Sequence, residues 1–467
     1  MKKTTGLILG CCLVLLPLFT VVAKTNNGGL SDDLIARLRE SMVMDAHMRA
    51  MINAVSSNDI NELAISRSII NSKEDLFSHK IKTKGITDQK SSGRCWMFAG
   101  LNVLRPKVMD KYKLDEFEFS QAYLSFWDKL EKSNMFLELI IEYRNSGMLD
   151  REMDLIVSDP VGDGGWWSYI VGLIEKYGVV PQTVMPETYN SSNTARINKL
   201  LDRTLRSDAV RLRAMAVDGA DLEQLRAAKE TMLSGVYRML VMNYGEPPTE
   251  FEYRYKIEDS LLSDPKTYTP QSFYKEFVDE NLADYVNLFN DPTRDYGKHY
   301  QAGVSRNMYD ADNAHFVNIT IDQLRDISKA SILDDQPVWF ACDVAQDHNR
   351  KMGILAEGLY DYDDIYGVDM SMTKAERILY HETSANHAMV FTGVDIRDDK
   401  PVKWLVENSW GDESGVKGMW NMDTAWFDEH VFNIIVKKKY VPKDILKLFD
   451  ETPIVLPIWD PLHAAFH

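Results

Sequence analysis

Cys95 is the residue of this chain whose surroundings are best suited to nucleophilic chemistry. It stands at the start of an apolar pattern with helical spacing, in the string KGITDQKSSGRCWMFAG, and Gln89 precedes it by six residues. A thiol in the first turn of a helix feels the positive end of the helix dipole, which favours the nucleophilic thiolate. The string therefore predicts a reactive cysteine, although a single cysteine in a helix is more often a small buried apolar residue.

Two residues far downstream could complete the chemistry of such a thiol. His387 lies in the string SANHAMVFTGVD, and Asn408 follows it by 21 residues in WLVENSWG. Peptide hydrolysis by a cysteine requires a nucleophile, a base, a group that orients the base, and hydrogen-bond donors for the oxyanion. The four residues, in the chain order Gln, Cys, His and Asn, supply one candidate for each task.

That order resembles the papain-like cysteine peptidases, and the longer string QKSSGRCW narrows the resemblance to the bleomycin hydrolase and aminopeptidase C branch. The resemblance covers nearly the whole chain after residue 23, through strings such as LSFWDKLEKSN, DGGWW, QPVWFACDV and LPIWDPLHAAFH. It implies an α+β fold of two lobes, one helical and one β-barrel-like, with a large helical insertion and a C-terminal tail in the cleft. It also implies a homohexamer that acts on peptides as a thiol-dependent aminopeptidase.

The resemblance assigns a role to each candidate residue. Cys95 would attack the peptide carbonyl, and His387 would pair with it as imidazolium, lower the thiol pKa and later protonate the leaving amine. Asn408 would accept a hydrogen bond from His387, and Trp410 would shield that bond from water. Gln89 would donate its side-chain amide to the oxyanion, together with the backbone N–H of Cys95.

A second group of candidates would contact the substrate. Gly164 and Gly165, in DGGWWSY, mark a place where the backbone approaches a neighbour closely, and in papain-like peptidases such a pair lines the cleft. A simple tight turn is the alternative interpretation of these glycines. Trp410 and the two residues at the chain end, Phe466 and His467, complete the predicted substrate-binding set.

The C-terminal tail departs from the pattern of the family. In members of the family, the tail fills the half of the cleft that would bind residues before the scissile bond. Its terminal carboxylate then binds the α-ammonium group of the substrate. This chain ends in Leu-His-Ala-Ala-Phe-His, where small residues are typical. If self-trimming removes His467, Phe466 carries the carboxylate. A bulky tail leaves open the alternative of an endopeptidase with an unblocked cleft.

Length, composition and charge limit the class of protein. A chain of 467 residues with 45% hydrophobic and 26% charged residues is typical of a globular protein with a large core. A formal net charge of −17 gives no reason to expect nucleic acid as a partner. No CxxC, HExxH or paired-histidine spacing indicates a metal, so no metal or other cofactor is expected. Cys342, His348 and His381 are interpreted as local structural residues.

Residues 1–23 are interpreted as a secretory signal peptide. A basic start precedes an apolar stretch, and Val-Val-Ala offers a cleavage site after residue 23. A membrane anchor is less favoured, because the stretch is short and contains Pro17. We therefore expect an exported protein, periplasmic or secreted, without membrane contact after cleavage. Of the four cysteines only those at 95 and 342 would remain, so no disulfide framework is expected.

Composition and periodicity divide the rest of the chain. Helical periodicity runs from residue 191 to about 290, with few breakers until GEPP at 245–248, and indicates a helical insertion. Runs of β-branched and aromatic residues return after residue 335. The predicted segments after the signal peptide (1–23) are an N-terminal arm (24–78), a helical lobe with the nucleophile (79–190), a helical insertion (191–300), a β-rich lobe with the histidine and asparagine (301–445) and a tail (446–467).

The alternative that is not an enzyme is a binding or scaffold protein that has a peptidase fold but no catalytic activity. Such a protein would be expected to have lost part of the catalytic set, and all four residues are present. The sequence therefore predicts an exported cysteine aminopeptidase that hydrolyses N-terminal residues of peptides.

Overall fold

The structure is a computed structural model that describes residues 28–257 and 261–464. The chain separates into two units, residues 1–63 and residues 64–467. The signal peptide predicted over residues 1–23 lies outside the described residues.

The described part of the first unit is helical. Ser31 and Asp45 cap its first two helices by accepting hydrogen bonds from backbone N–H groups with their side chains. The N-terminal arm was predicted to extend to residue 78, whereas this unit ends at Leu63. The helices are α1 (Asp32–Ser41), α2 (Ala46–Ser57) and α3 (Ile60–Ala64), the last of which crosses the boundary between the units.

Helices of very different length surround the sheet of the second unit. None of the helices in the described ranges is long and apolar enough to cross a membrane. They are α4 (Arg67–Ser72), α5 (Cys95–Tyr112), α6 (Gln121–Glu142), α7 (Arg151–Ser158), α8 (Trp167–Tyr177), α9 (Ala195–Val217), α10 (Leu222–Tyr244), α11 (Pro270–Phe273), α12 (Ile321–Leu333), α13 (Tyr362–Tyr366), α14 (Lys374–Leu379), α15 (Thr424–His430), α16 (Lys443–Leu448) and α17 (Pro461–Ala464).

The described strands form one large mixed sheet and two small hairpins. They are β1 (His79–Lys80), β2 (Phe251–Tyr253), β3 (Lys256–Ile257), β4 (Leu261–Leu262), β5 (Lys266–Tyr268), β6 (Tyr285–Phe289), β7 (Lys298–Ala302), β8 (His315–Asn318), β9 (Val338–Cys342), β10 (His348–Asn349), β11 (Ile354–Leu355), β12 (His387–Arg397), β13 (Lys400–Glu407), β14 (Met419–Asp423), β15 (Val431–Lys437) and β16 (Ile454–Leu456). The sheet has the order β10-β11-β14-β13-β12-β9-β15-β6-β8-β7-β16, and β1 pairs with β12. The α+β architecture agrees with the predicted fold class.

Strand β9 separates the two larger hydrophobic cores in the described part of this unit. All five of its residues are buried, because successive side chains of a strand point to opposite faces and both faces are covered. Trp339 and Ala341 belong to the core that contains most of helices α5, α6 and α8. Phe340 and Cys342 belong to the core on the other face, which includes side chains of α12. Cys342 is thus a buried strand residue, as predicted.

Helix α5 is buried on nearly all sides, which places the nucleophile candidate against the sheet. Its side chains from Trp96 to Arg105 are all buried, and the helix continues through Pro106. A helix that is apolar around most of its circumference must lie inside the protein. Trp339 of β9 donates a hydrogen bond from its indole Nε1 to the backbone oxygen of Trp96 at 3.1 Å, which ties the helix to the sheet.

Only the first part of the predicted insertion (191–300) is helical. Helices α9 and α10 end at Tyr244, directly before the predicted breakers GEPP at 245–248, whereas helical periodicity was expected to about residue 290. Gly245, with a φ of +89°, ends α10, and two prolines follow it. The next residues alternate between aromatic and polar types, which is the period of a strand, and they form the hairpin β2–β5. Strand β6, also inside the predicted insertion, pairs with β15 in the large sheet.

A buried ion pair joins α5 to the strand that leads to Asn408. Nη2 of Arg105 lies 2.6 Å from Oε1 of Glu407, and both side chains are almost completely buried. The same guanidinium nitrogen donates to the backbone oxygen of Gly85 at 2.9 Å. Removing one partner of such a pair leaves an uncompensated buried charge, which costs more than the pair itself contributes.

We predict that Glu407→Gln lowers the free energy of unfolding by about 3–5 kcal/mol, because Arg105 would keep its charge without a counter-ion. Urea denaturation followed by tryptophan fluorescence measures this change. The matched control is Asp110→Asn, which removes an exposed carboxylate 3.3 Å from Lys113 and should change the free energy by less than about 0.5 kcal/mol. Equal effects of the two substitutions would contradict the prediction.

Candidate active site

Cys95 is the first residue of α5, as its place in the sequence predicted. The turn before it is held by Arg94, which is buried and donates from its two terminal nitrogens to the carboxylate oxygens of Glu187 at 3.1 and 2.9 Å. Nε of Arg94 donates to the hydroxyl of Ser92 at 3.0 Å. Bidentate pairs of this kind fix the direction of a side chain as well as its position. The segment that leads into α5 is therefore fixed in position, and so is the thiol of Cys95 that follows it.

His387 and Asn408 meet at neighbouring strand ends. His387 is the first residue of β12, Asn408 follows the last residue of β13, and Nε2 of the histidine lies 2.9 Å from Oδ1 of the asparagine. The same Oδ1 accepts the backbone N–H of Ser409 at 2.8 Å, so the asparagine oxygen is the atom that faces the ring. Nε2 therefore carries a proton, and Nδ1 is the nitrogen that would exchange a proton with a thiol.

Trp410 covers the pair from one side. Its ring lies 4.7 Å from the ring of His387 between centroids, at an angle of 36°. The other aromatic neighbour of Trp410 is Trp420, 5.4 Å away and edge to face. An aromatic plane at this distance excludes water from the hydrogen bond between histidine and asparagine. The geometry agrees with the shielding role that the resemblance implies for Trp410.

A cavity of 260 Å³ connects most of the predicted site residues. Trp410, predicted to bind substrate, is absent from its lining and reaches the site only through His387. Phe466 and His467 lie outside the described residues. The predicted residues that line the cavity are Gln89, Cys95, Gly164, Gly165 and His387.

Gln89 is buried and its amide is oriented by two serines. Its Nε2 donates to the backbone oxygen of Ser92 at 2.6 Å, and its Oε1 accepts the hydroxyl of Ser409 at 2.9 Å. An amide nitrogen carries two hydrogens, so a second donor is left for an oxyanion. Sequence reasoning did not single out Ser92 or Ser409, although each stands within three residues of a predicted site residue.

Two glycines of the cleft are required by close packing. A Cβ on Gly165 would lie 2.5 Å from Cε2 of Trp96, and one on Gly93 would lie 2.8 Å from Cβ of Asp163. Real Cβ atoms do not approach other atoms so closely. For Gly165 the close backbone approach that the sequence predicted is therefore present, and the neighbour is the indole of Trp96.

Asp163 is a site residue that sequence reasoning missed. Its carboxylate accepts hydrogen bonds from the backbone N–H of Gly93 at 2.8 Å and from Nζ of Lys129 at 2.6 Å. Thr194 and Asn198, from the start of α9, donate to the same carboxylate. These donors hold the pKa of Asp163 well below its usual range, although burial alone would raise it. No local pattern marks the residue, because its partners are 31 to 70 residues away.

A polar network supports the residue before His387. Asn386 donates from Nδ2 to Oδ1 of Asp343 at 2.5 Å, and its Oδ1 accepts the backbone N–H of Val344 at 3.0 Å. Thr383 donates to the other oxygen of Asp343 at 2.7 Å. Asp343 directly follows β9, so this network fastens the start of β12 to the neighbouring strand.

Burial disfavours a charge on Cys95 alone or on His387 alone. It raises the pKa of Cys95 to about 11, although the backbone N–H groups of Ala388 and Trp96 act in the opposite direction. Burial also lowers the pKa of His387 to about 4, although Asn408 favours its charged form. The effect of the helix start, from which the sequence predicted a thiolate, is thus smaller than the cost of desolvation. Opposite charges on both groups at once would compensate each other, since both groups line the same cavity.

Comparisons with known proteins agree with this geometry. The family model described as the Peptidase C1-like family matches residues 29–463. The chain belongs to this family. Within it, the chain is a papain-like cysteine peptidase of the bleomycin hydrolase and aminopeptidase C branch, as the sequence predicted.

Relatives match the chain over nearly its whole length. Aminopeptidase C of Streptococcus thermophilus is 38% identical over 436 residues, which cover 93% of this chain and 98% of the relative. Bleomycin hydrolase of Homo sapiens is 36% identical over 451 residues, which cover 94% and 99%. A crystal structure of PepW from Lactobacillus rhamnosis HN001 superimposes with a TM-score of 0.91 at 38% identity, and covers 94% of this chain and 99% of that one. The whole fold is therefore shared with the relatives.

We predict that His387→Ala slows alkylation of Cys95 by iodoacetamide at pH 7, because the thiol loses its only compensating charge. Burial raises the pKa of the Cys95 thiol, so without the imidazolium the thiol of the variant should stay almost entirely protonated at pH 7. Its alkylation rate should then rise with pH toward the raised pKa, because only the thiolate reacts. Mass spectrometry of the labelled peptide measures this rate.

Two controls accompany the measurement. His47→Ala removes an exposed histidine of the first unit and should leave the rate unchanged. Cys342, which is buried and whose pKa burial also raises, should stay unlabelled in every folded variant. Alkylation of the His387→Ala variant at the rate of the unmodified protein would contradict the pairing of the two groups.

Proposed function

We propose that this chain is an exported cysteine aminopeptidase that removes N-terminal residues from peptides through a Cys-His-Asn mechanism. The observation that carries the proposal is the cleft itself, in which Cys95 at a helix start and His387 line one cavity and Asn408 lies 2.9 Å from the histidine ring. The names of the relatives, Aminopeptidase C and Bleomycin hydrolase, support the class of reaction.

In the proposed reaction, the sulfur of Cys95 attacks the carbonyl carbon of the first peptide bond while its proton moves to Nδ1 of His387. The negative charge on the carbonyl oxygen is stabilised by the amide of Gln89 and the backbone N–H of Cys95. His387 then gives its proton to the leaving amine, and the acyl group stays on the sulfur as a thioester. Water, deprotonated by His387, hydrolyses the thioester and restores the thiol. Asn408 keeps the ring in one tautomer throughout.

The restriction to N-termini is assigned to the C-terminal tail. The root of the tail is well fixed, because β16 pairs with β7 and Asp460 lies 2.5 Å from Nη2 of Arg294. Leu462 is buried, and Arg151 stacks on the ring of Trp459 at 4.7 Å. We propose that the residues beyond this root extend into the cleft, where the terminal carboxylate binds the α-ammonium group of the substrate.

Peptide cleavage with and without a free N-terminus tests the activity and the tail together. We expect the mature enzyme to hydrolyse a fluorogenic peptide with a free α-amine at least about 100-fold faster than its acetylated form, because acetylation removes the charge that the carboxylate would bind. Cys95→Ala should abolish both reactions. His47→Ala, which removes an exposed histidine of the first unit, is the control and should leave both rates unchanged.

Deletion of residues 463–467, which leaves the buried Leu462 in place, separates the tail from the chemistry. If the tail restricts the cleft, the shortened enzyme should cleave the acetylated peptide faster than the full chain. Rapid cleavage of the acetylated peptide by the full chain would overturn the aminopeptidase proposal in favour of an endopeptidase with an open cleft. No cleavage of either peptide would favour a non-catalytic protein.

We also propose that the mature chain is exported, periplasmic or secreted, and assembles as a homohexamer. Loss of residues 1–23 removes two lysines and no acids, so the formal charge becomes 51 − 70 = −19, which argues against nucleic acid as a partner. N-terminal sequencing of the protein from its own cells should begin at Lys24, and sedimentation of the mature chain should give about six times its monomer mass. A chain that retains Met1, or that sediments as a monomer, would contradict the respective proposal.

A further inference from the structure

Arg350 is an exposed cation near the catalytic histidine that the proposed reaction does not use. It lies in the turn between β10 and β11, and its guanidinium carbon is 4.9 Å from the centre of the Trp410 ring. The same indole lies 4.7 Å from the ring of His387 between centroids. A single aromatic side chain thus contacts both the guanidinium and the catalytic imidazole.

Two cavities identify the side of the cleft on which Trp410 lies. The root of the C-terminal tail borders a cavity of 480 Å³, which Trp459 and Gly164 line. Gly164 also lines the cavity of Cys95, so the tail root reaches the cleft on the side of this glycine. Trp410 lines neither cavity and contacts the site through His387. The leaving amine takes its proton from His387 in the proposed reaction, so we place the leaving peptide on the side of Trp410.

The backbone that carries Arg350 is fixed at both ends. The backbone oxygen of Arg350 accepts the N–H of Gly415 at 3.0 Å, and Gly415 belongs to the loop that follows Trp410. Earlier in the same segment, Val344 donates its backbone N–H to Oδ1 of Asn386 at 3.0 Å, directly before His387. The exposed guanidinium is therefore attached to a backbone that is held in place beside the cleft.

No carboxylate of the described chain neutralises Arg350. Among the residues that the structure describes, its side chain forms no ion pair and donates no hydrogen bond. The acids of the neighbouring loops act on Lys90: Asp88 lies 2.5 Å from its Nζ, and Asp88, Glu413 and Asp412 raise its pKa. A guanidinium is a planar group whose N–H donors match the two oxygens of a carboxylate. The donors of Arg350 are thus available to an anionic group of a ligand.

The distance from Arg350 to the catalytic histidine corresponds to a short stretch of peptide. The two ring contacts place the guanidinium at most about 10 Å from the ring of His387, and an extended chain covers about 3.5 Å per residue. Since the leaving amine lies at the histidine, the first two or three residues of the leaving peptide span this distance.

We propose that Arg350 binds a carboxylate of the leaving peptide and thereby favours substrates with an acidic residue shortly after the scissile bond. The side chain of a glutamate or aspartate and the C-terminus of a short peptide offer the same carboxylate. The inference rests on the proposed function, because the peptide must lie in the cleft for its leaving half to reach Arg350. The arginine is a specificity residue and takes no part in the proton transfer, since Trp410 lies between it and His387.

Binding of uncleaved peptides to the mature chain carrying Cys95→Ala tests the proposal without a measurement of activity. Two amidated tetrapeptides with a free N-terminus differ only in a glutamate or a glutamine at the second position. We expect calorimetry to show about two- to fivefold tighter binding of the glutamate peptide, the range of an exposed ion pair. Added salt should reduce this preference, because the guanidinium is open to solvent.

Variants of two exposed arginines make the test specific. In the same background, Arg350→Gln should remove the preference for the glutamate peptide, and Arg350→Lys should retain part of it. The matched control is Arg397→Gln, because Arg397 is 60% exposed and ends β12, the strand that begins at His387. That control should keep the full preference.

A second pair of peptides distinguishes the two sources of the carboxylate. Two tripeptides with glutamine at the second position differ only in a free or an amidated C-terminus. Tighter binding of the free acid that Arg350→Gln removes would show that the terminal carboxylate also binds the guanidinium. Equal binding of these two would restrict the preference to acidic side chains.

The proposal is overturned if the Cys95→Ala chain binds the glutamate and glutamine tetrapeptides equally, or binds neither. It is also overturned if the preference survives Arg350→Gln. In the active enzyme, an equal loss of kcat for both tetrapeptides in Arg350→Gln would assign the arginine to the support of Trp410 and would contradict the proposal. Failure of the proposed function has a different signature, because the enzyme with Cys95 would then cleave neither tetrapeptide whatever the affinities.

Discussion

The proposed chemistry of this peptidase depends on a cleft in which burial disfavours a charge on Cys95 alone or on His387 alone. Desolvation raises the pKa of Cys95 and lowers that of His387, so an isolated thiolate or an isolated imidazolium is unfavourable. In the proposed mechanism the two opposite charges would offset much of that cost, provided that they stay close and correctly oriented. Every element that fixes α5 relative to β12 would then contribute to the reactivity of the pair.

The structure meets this requirement by joining the segment of the nucleophile to the segment of Asn408 on both sides of the asparagine. On one side, Glu407 forms the buried ion pair with Arg105 of α5. On the other, Ser409 is bonded to Gln89 twice, through its hydroxyl and through its backbone oxygen. A shift of Asn408 relative to α5 would have to break charged and neutral bonds in a buried region, which is costly. The orientation of His387 therefore depends on the contacts of Glu407 and Ser409, neither of which involves its ring.

The sequence allowed the family, the α+β fold and the contact between His387 and Asn408 to be predicted, because each prediction depends on short stretches of consecutive residues. Cys95 begins a helix whose apolar residues follow it directly, and His387 begins a strand of continuous apolar character. The long-range polar contacts could not be predicted in this way. Asp163 begins the string DGGWWSY, in which only the glycines were singled out, and the donors that surround its carboxylate come from three separate segments. The strands that follow the breakers at 245–248 were missed for a related reason, since these aromatic residues become strands only by pairing.

The insertion takes part in the cleft as well as enlarging the protein. Thr194 and Asn198, at its beginning, donate to the carboxylate of Asp163, and the same carboxylate holds the backbone of Gly93 two residues before the nucleophile. Lys129 supplies the positive charge that keeps Asp163 ionised in a largely buried position. On one side of the cleft, Asp163 thus links the segment before Cys95 to the start of α9. On the other side, Asp343 holds the start of β12 through Asn386. A short catalytic motif can be rigid only when residues far from it in sequence form hydrogen bonds with its buried polar groups. In this chain, the insertion provides some of these residues.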